Sequence, residues 1–317
     1  YAVRFDSTTV TGQLEAYKLL ANGKFATTPH WEAGSLLHAK ASPHQGRTRE
    51  IITNDGPTGV PFRWGSLSPA YQVQMTTAST NQLTAANAQV ALDYIRGDQR
   101  QESAHGLRQR GKSLLGPVVN SSPWVQRRPM ASWGGTVTGY GAFYHAHRER
   151  KGLLWLGAND GMLHAFNAES GEEVLAYVPG ALANRLAEIP LQRGGKTRLN
   201  GVDFVSGVQV QPPGAVWPYV DGNAYSADVK VGGNWRTYVF GALGRGGRGV
   251  FALDATTLGS LREDQAASIF QWQFTAADDS DLGYQTGIDD GARLQAELEA
   301  PTVTPGVEPY GPDKLVN

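Results

Sequence analysis

The chain predicts an all-β fold, a β-propeller carrying short helical insertions, and three observations lead there. One segment, LLWLGANDGMLHAFNAESGEEVLAYVP over Leu153–Pro179, reads as three strands joined by two tight turns. Parts of that signature recur twice elsewhere. The 317 residues hold 39 glycines, 17 prolines and 40% hydrophobic residues, which suits many short strands around a real core.

Within the blade signature, Leu153–Leu156 is an apolar run and Asn159-Asp160-Gly161 supplies residues that tolerate positive φ in a hairpin. Met162–Asn167 is the return strand, Ser170-Gly171 turns the chain again, and Val174–Val178 closes the set. Gly12-Gln13-Leu14-Glu15-Ala16-Tyr17-Lys18 follows the same G-x-L-x-A-aromatic pattern as Gly161–Asn167. Phe251-Ala252-Leu253-Asp254-Ala255 lines up with His164-Ala165-Phe166-Asn167-Ala168. The matched alanines Ala16, Ala165 and Ala252 are unequally spaced. A four-stranded blade takes roughly 40–45 residues, so the gaps imply short blades or blades with insertions.

Elsewhere, Tyr1–Phe5, Leu14–Leu20 and Trp31 after Asn22-Gly23 read as strands, and Ile51–Thr53 with Val60–Trp64 reads as a hairpin. Thr84–Ile95 has helical spacing at Ala88, Leu92 and Ile95, with Gly97 placed to end the helix. Gln99–Lys112 reads as a basic surface loop, Leu114–Val125 returns to strand character, and Ala181–Ile189 is a short helix stopped by Pro190. Trp235–Phe240 with Gly249–Asp254 forms a hairpin, and Phe270–Phe274 is a further strand. The expected organisation is a propeller domain over residues 1–288, with helix-bearing insertions at about 66–112 and 181–216 decorating a β framework. Residues 289–317 form a tail or linker.

Composition limits function. The net charge of −1 argues against a nucleic-acid or anionic-membrane surface built on bulk electrostatics, and no apolar run approaches the ~20 residues of a membrane-spanning helix. Without cysteine there is no disulfide, thiolate metal site or cysteine nucleophile. Starting at Tyr1 without a leader, the chain reads as a mature product or an excised piece.

Several motifs have a bland reading. Gly244-Arg245-Gly246-Gly247-Arg248-Gly249 matches G-x-G-x-x-G, but a strand follows where a dinucleotide site needs a helix, so it reads as a glycine-rich hairpin. Gly194-Gly195-Lys196-Thr197 ends like a phosphate loop, yet Pro190 stands where the first glycine is required. His145 and His147 share one face of a strand, but Arg148 and Arg150 would repel a cation, so they read as a surface pair. His164 reads as a packed, hydrogen-bonded histidine. Asp278-Asp279-Ser280-Asp281 lacks the spacing of an EF-hand loop and reads as a solvated turn. No Ser/His/Asp set or carboxylate pair announces catalysis. Arg96-Gly97-Asp98 is a candidate adhesion motif that helix termination also explains.

With these residues in order, the chain resembles the C-terminal β-propeller of the PilY/PilC family of type IV pilus tip-associated assembly and adhesion proteins. The resemblance rests on Leu14–Leu19 with Trp31, on Tyr94–Asp98, on Leu115–Pro123, and most specifically on Leu156–Phe166 with Asn159, Asp160, Gly161, Met162 and His164. Tyr219–Gly222, Asp228-Val229, Trp235–Thr237, Gly246–Asp254 and Asp281–Tyr284 complete it, so coverage runs from about residue 1 to 287. It implies an extracellular, cell-surface or pilus-tip protein that supports fibre assembly through minor pilins and touches host or abiotic surfaces, with no enzymatic activity. It also implies an adhesive use of Arg96-Gly97-Asp98, since that stretch is linked to integrin contact in some members. Insertions 66–112 and 192–216 are the expected partner contacts.

Three departures qualify the resemblance. The family's calcium loop beyond the Gly-Tyr element has no match, so no calcium or other cofactor is expected. Asp6-Ser7-Thr8-Thr9 does not reproduce the metal-binding motif of the family's von Willebrand-like module. The family's further blades find no match beyond Gly287, which leaves the propeller incomplete and its strand edges open, to be closed by a longer polypeptide or by partners. Two other readings stay open. Ala158–Ala165 with Gly171 fits the repeat of pyrroloquinoline quinone dehydrogenases, although their adjacent-cysteine disulfide cannot form here, and an outer-membrane assembly scaffold would share the fold.

Overall fold

In the computed structural model, residues 1–6, 9–41, 48–78, 81–82, 84–104, 107–129, 138–191, 198–199, 202–203, 217–257, 259 and 261–285 are described. The expected tail, and most of the second expected insertion beyond residue 191, lie outside them.

The central sheet is built from the blade signature. Trp124–Gln126, Leu153–Ala158, Met162–Asn167 and Glu173–Val178 form a four-stranded antiparallel meander. The hairpin Ile51–Asp55/Thr58–Pro61 extends it, Ile51–Asp55 lying parallel to Glu173–Val178. A second antiparallel meander runs Ala224–Val231, Asn234–Ala242, Gly249–Asp254 and Phe270–Thr275. A third, smaller sheet joins Ala2–Asp6, Thr11–Ala16 and Trp31–Glu32.

Burial explains why Leu153–Ala158 is apolar throughout rather than alternating. Leu154, Leu156 and Ala158 pack with Leu14, Trp31, Leu37 and Leu115 on the side of the small sheet. Leu153 and Trp155 belong to the main core with Val239, Phe251 and Leu253 of the four-stranded sheet. A strand covered on both faces needs apolar side chains at both parities.

The sequence repeat is a structural repeat. Ala165 and Ala252 each occupy the third strand of a meander, and each is followed at once by a β-bulge, at Ala165/Phe166 and Ala252/Leu253. Two residues on, the Oδ1 of Asn167 accepts from Glu169 N (2.8 Å) and that of Asp254 accepts from Thr256 N (2.9 Å). One residue further, Ala168 N donates to Gly152 O and Ala255 N to Thr237 O. Bulge, Asx turn and strand-closing bond therefore recur in register. The copy at Ala16 sits in the middle strand of the small sheet and has Lys18 where the Asx turn needs Asn or Asp.

Five expectations need correction. The helices are not decorations: Ala85–Ile95, capped by Thr84 Oγ1 on Asn87 N, and Pro69–Thr76, capped by Ser68 Oγ on Tyr71 N, bury Tyr71, Met75, Ala88, Ala91, Leu92 and Ile95 in the main core. Gln99–Lys112 is not a surface loop, since Glu102, Arg108 and Arg110 are buried and Arg100–Ala104 is helical. Leu114–Val125 becomes a strand only at Trp124–Gln126, because its earlier backbone bridges two sheets instead, Gly12 N donating to Leu115 O and Asn159 N to Pro117 O. Gly180–Leu191 is a 3₁₀ helix that contains Pro190 instead of stopping before it. His145 and His147 lie on the α-helix Tyr140–His147, where successive residues turn by about 100°, so they do not share a face.

Candidate functional site

The turn Asn159-Asp160-Gly161 brings the central sheet against two neighbours. Gly161 takes φ +91°, which a side chain would strain. Asn159 then reaches the segment leading into the second meander: its Nδ2 donates to Asp221 Oδ1 (2.9 Å) and its Oδ1 accepts from Tyr219 N (2.8 Å). Asp160 turns the other way, and its Oδ2 accepts from Gly116 N at 2.7 Å.

Beneath this turn lies a buried chain of charges. His164 Nε2 sits 3.2 Å from both Asp160 oxygens, and Nδ1 sits 2.8 Å from Glu173 Oε1. Facing a carboxylate on each side, the ring serves best as an imidazolium with two N–H donors. Burial opposes that charge, but Asp160 and Glu173 outweigh it and hold the His164 pKa up, at about 9. Burial likewise pushes the Asp160 and Glu173 carboxyls up. Their cationic neighbours prevail, His164 foremost at Asp160 and Arg49 foremost at Glu173, so both end below their ordinary values.

Arg49 supplies the balancing charge. Its Nε and Nη2 donate to the two Glu173 oxygens, each at 2.8 Å, while Nη1 donates to the carbonyls of Ile95 (3.3 Å) and Arg96 (3.2 Å). Nη2 also lies 3.7 Å from Met162 Sδ. Arg49 thus spans the blade turn and the C-terminus of helix Ala85–Ile95, whose last carbonyls have no partner within the helix.

Arg96-Gly97-Asp98 continues from that helix end. Arg96 is 4% exposed and Asp98 2%, so neither charge is displayed on the folded surface. Arg96 donates to Phe62 O and Arg49 O, both at 2.9 Å, and pairs with Glu263 Oε1 at 2.8 Å. Gly97 adopts φ +111°, with a Cβ there falling 3.0 Å from Ala41 Cβ. Asp98 pairs with Arg100, and its carbonyl accepts from Arg110 Nη2 (3.0 Å). Arg110 also caps Tyr94 O (2.7 Å), stacks over the Tyr94 ring and pairs with Glu102.

The tripeptide and the blade motif, separate in the sequence reading, therefore form one buried assembly with Arg49 as its joint. Sequence reasoning missed Arg49, Glu173, Glu263 and Arg110. Arg49 and Glu173 stand 124 positions apart, and no local pattern connects them. Among the described residues, no group of three or more His, Cys, Asp or Glu side chains is arranged to hold a metal ion. In the Asp278–Asp281 turn, Asp278 Oδ2 accepts from Thr275 N and Oγ1, and Asp279 Oδ1 accepts from Asp281 N.

Repeated bulged meanders packed face to face, pinned by polar turns, define a β-propeller module. The chain belongs to the PilY1 β-propeller domain family, whose model matches residues 115–304. It is 32% identical over 298 residues to the type IV pilus biogenesis factor PilY1 of Pseudomonas aeruginosa PAO1, covering 89% of this chain and 23% of that protein. It is 33% identical over 247 residues to a PilY1 homologue of Xylella fastidiosa, covering 70% of this chain and 18% of the homologue. The chain thus spans about a quarter or less of the curated relatives it matches. Among solved structures, the P. aeruginosa PilY1 C-terminal domain is similar at 28% identity and a TM-score of 0.33, over 50% of this chain and 26% of that one. No described helix is long and apolar enough to cross a membrane.

Proposed function

We propose that this module is a non-enzymatic scaffold at the tip of a type IV pilus, outside the cell, which supports fibre assembly by contacting minor pilins. Membership of the PilY1 propeller family carries this reading, because the full-length relatives are named as type IV pilus biogenesis factors. The site chemistry agrees with it. The charged residues under the blade turn are committed to one another in a closed cluster, as a rigid frame for partner-binding loops requires.

In this reading Arg96-Gly97-Asp98 braces the frame. An adhesive contact through Arg96 and Asp98 would first require the helix end to open. The exposed parts of insertion 66–112, such as Val73 on helix Pro69–Thr76, are assigned to partner contact. The deciding experiment is capture of minor pilins from the same genome by the purified, folded chain. Stoichiometric capture is expected, and failure to capture any of them would overturn the assignment.

A further inference from the structure

The connection from Thr11–Ala16 to Trp31–Glu32 projects as a hairpin, Lys18-Leu19-Leu20-Ala21-Asn22-Gly23-Lys24-Phe25. Its backbone is well ordered by its own bonds. Leu20 N donates to Lys24 O (2.8 Å), Gly23 N to Leu20 O (2.9 Å) and Ala26 N to Lys18 O (2.8 Å), and Asn22 Oδ1 accepts from Lys24 N (3.0 Å). Gly23 provides the positive φ of the turn, at +77°. Yet the tip leaves Leu19, Leu20 and Phe25 exposed at 67%, 46% and 70%. Leu19 and Phe25 face each other as an antiparallel bridge, so their side chains share one face. Nowhere else among the described residues do three large apolar side chains stand out from one hairpin.

The charge carried by the hairpin itself has a single sign. Lys18 precedes Leu19 and Lys24 precedes Phe25, and no acidic residue occurs from Lys18 to His30. The bounding acids are engaged elsewhere, Glu15 with Arg4 and Tyr17, and Glu32 with the start of the following helix. We propose that this hairpin is an interfacial anchor that seats Leu19, Leu20 and Phe25 at the headgroup boundary of an anionic lipid surface, with Lys18 and Lys24 on the headgroups.

The bonding of the turn supports a lipid surface over a protein groove. The tip satisfies its turn by internal hydrogen bonds, so it can enter a boundary where unpaired backbone groups are costly. Aliphatic and Phe side chains beside lysines are the combination that interfacial binding uses. The near-neutral charge of the whole chain does not oppose this, because the attraction acts over about a Debye length of 10 Å at the tip.

The test is sedimentation of the full chain with phosphatidylcholine vesicles containing phosphatidylglycerol, against vesicles of phosphatidylcholine alone. Salt-sensitive partition to the anionic vesicles is expected. The pair Leu19→Ser/Phe25→Ser should weaken it by about tenfold or more, since full burial of each such side chain is worth at least that factor. The pair Lys18→Gln/Lys24→Gln should weaken it about tenfold on anionic vesicles and leave neutral ones unaffected. All four positions are exposed, so unchanged thermal melts are the folding control. No partition by the unaltered chain, or equal partition by all variants, would overturn the proposal and leave the tip to a protein partner.

Discussion

Arg49 holds Glu173 through two parallel hydrogen bonds of 2.8 Å, and neither side chain reaches solvent. Each cancels the other's charge in a site where an unpaired ion is severely disfavoured. Glu173→Gln or Arg49→Met should each destabilise the fold by about 3–5 kcal/mol, because each unbalances a buried cluster in which Arg49 and His164 offset Glu173 and Asp160. Replacing both, as Arg49→Met/Glu173→Leu, should recover part of that loss. Denaturant titration of the three variants checks this. Equal losses for single and double replacements would contradict it.

His164 makes stability depend on pH. Its pKa rises from the ordinary 6.5 to about 9, so its contribution is complete below 6.5 and lost as pH rises through 9. The depressed carboxyls of Asp160 and Glu173 contribute above their ordinary 3.8 and 4.5, and lose that contribution as pH falls toward their folded values. Stability should therefore peak near pH 5–6.5 and decline toward pH 9, by about 3 kcal/mol from His164. In His164→Gln the alkaline decline should disappear. Denaturation midpoints across this range decide the matter.

Asn159 ties two sheets through one side chain, to Tyr219 N and Asp221 Oδ1. Asn159→Ala removes the acceptor of Tyr219 N and one donor to Asp221, which keeps Asn120, and a loss of about 1–3 kcal/mol is expected from the buried amide. Hydrogen exchange should show faster opening in Ala224–Val231 as well as in the Asn159 turn. Protection lost at the turn alone would mean that the sheets are coupled by other contacts.

Arg96→Ala removes one of the two arginines that pair with Glu263, leaving Arg63, and removes the donor to Phe62 O and Arg49 O. A fall in stability of about 2–4 kcal/mol is expected from the two unmet buried carbonyls, so any adhesion defect in this variant should track its melting temperature. A variant that melts normally and still loses surface binding would restore the tripeptide as a displayed motif.

How much of this was legible in the sequence follows from how local each signal is. The blade strands and the hairpin at Asn159-Asp160-Gly161 were readable because periodicity and turn chemistry act within a few residues. Ala165 and Ala252 marked equivalent strands because bulge and Asx turn depend on the residues just after them. The burial of Arg96 and Asp98 was not readable. A polar tripeptide after a helix looks like a surface turn until Arg49, Glu263 and Arg110 arrive from distant segments to neutralise it. The basic run Gln99–Lys112 misled for the same reason, since charge suggests solvent unless its partners are known. His145 and His147 were misplaced on a strand because alternation over so few residues fits either period.

The blade motif and Arg96-Gly97-Asp98 are joined through Arg49 and Glu173, which should make them one cooperative unit. A double-mutant cycle between Arg96→Met and His164→Gln tests it most directly, because these two residues interact only through that joint in the contacts described above. The two losses in unfolding free energy are expected to be non-additive by about 0.5–3 kcal/mol. Additivity within about 0.3–0.5 kcal/mol would show two independent sites and contradict it.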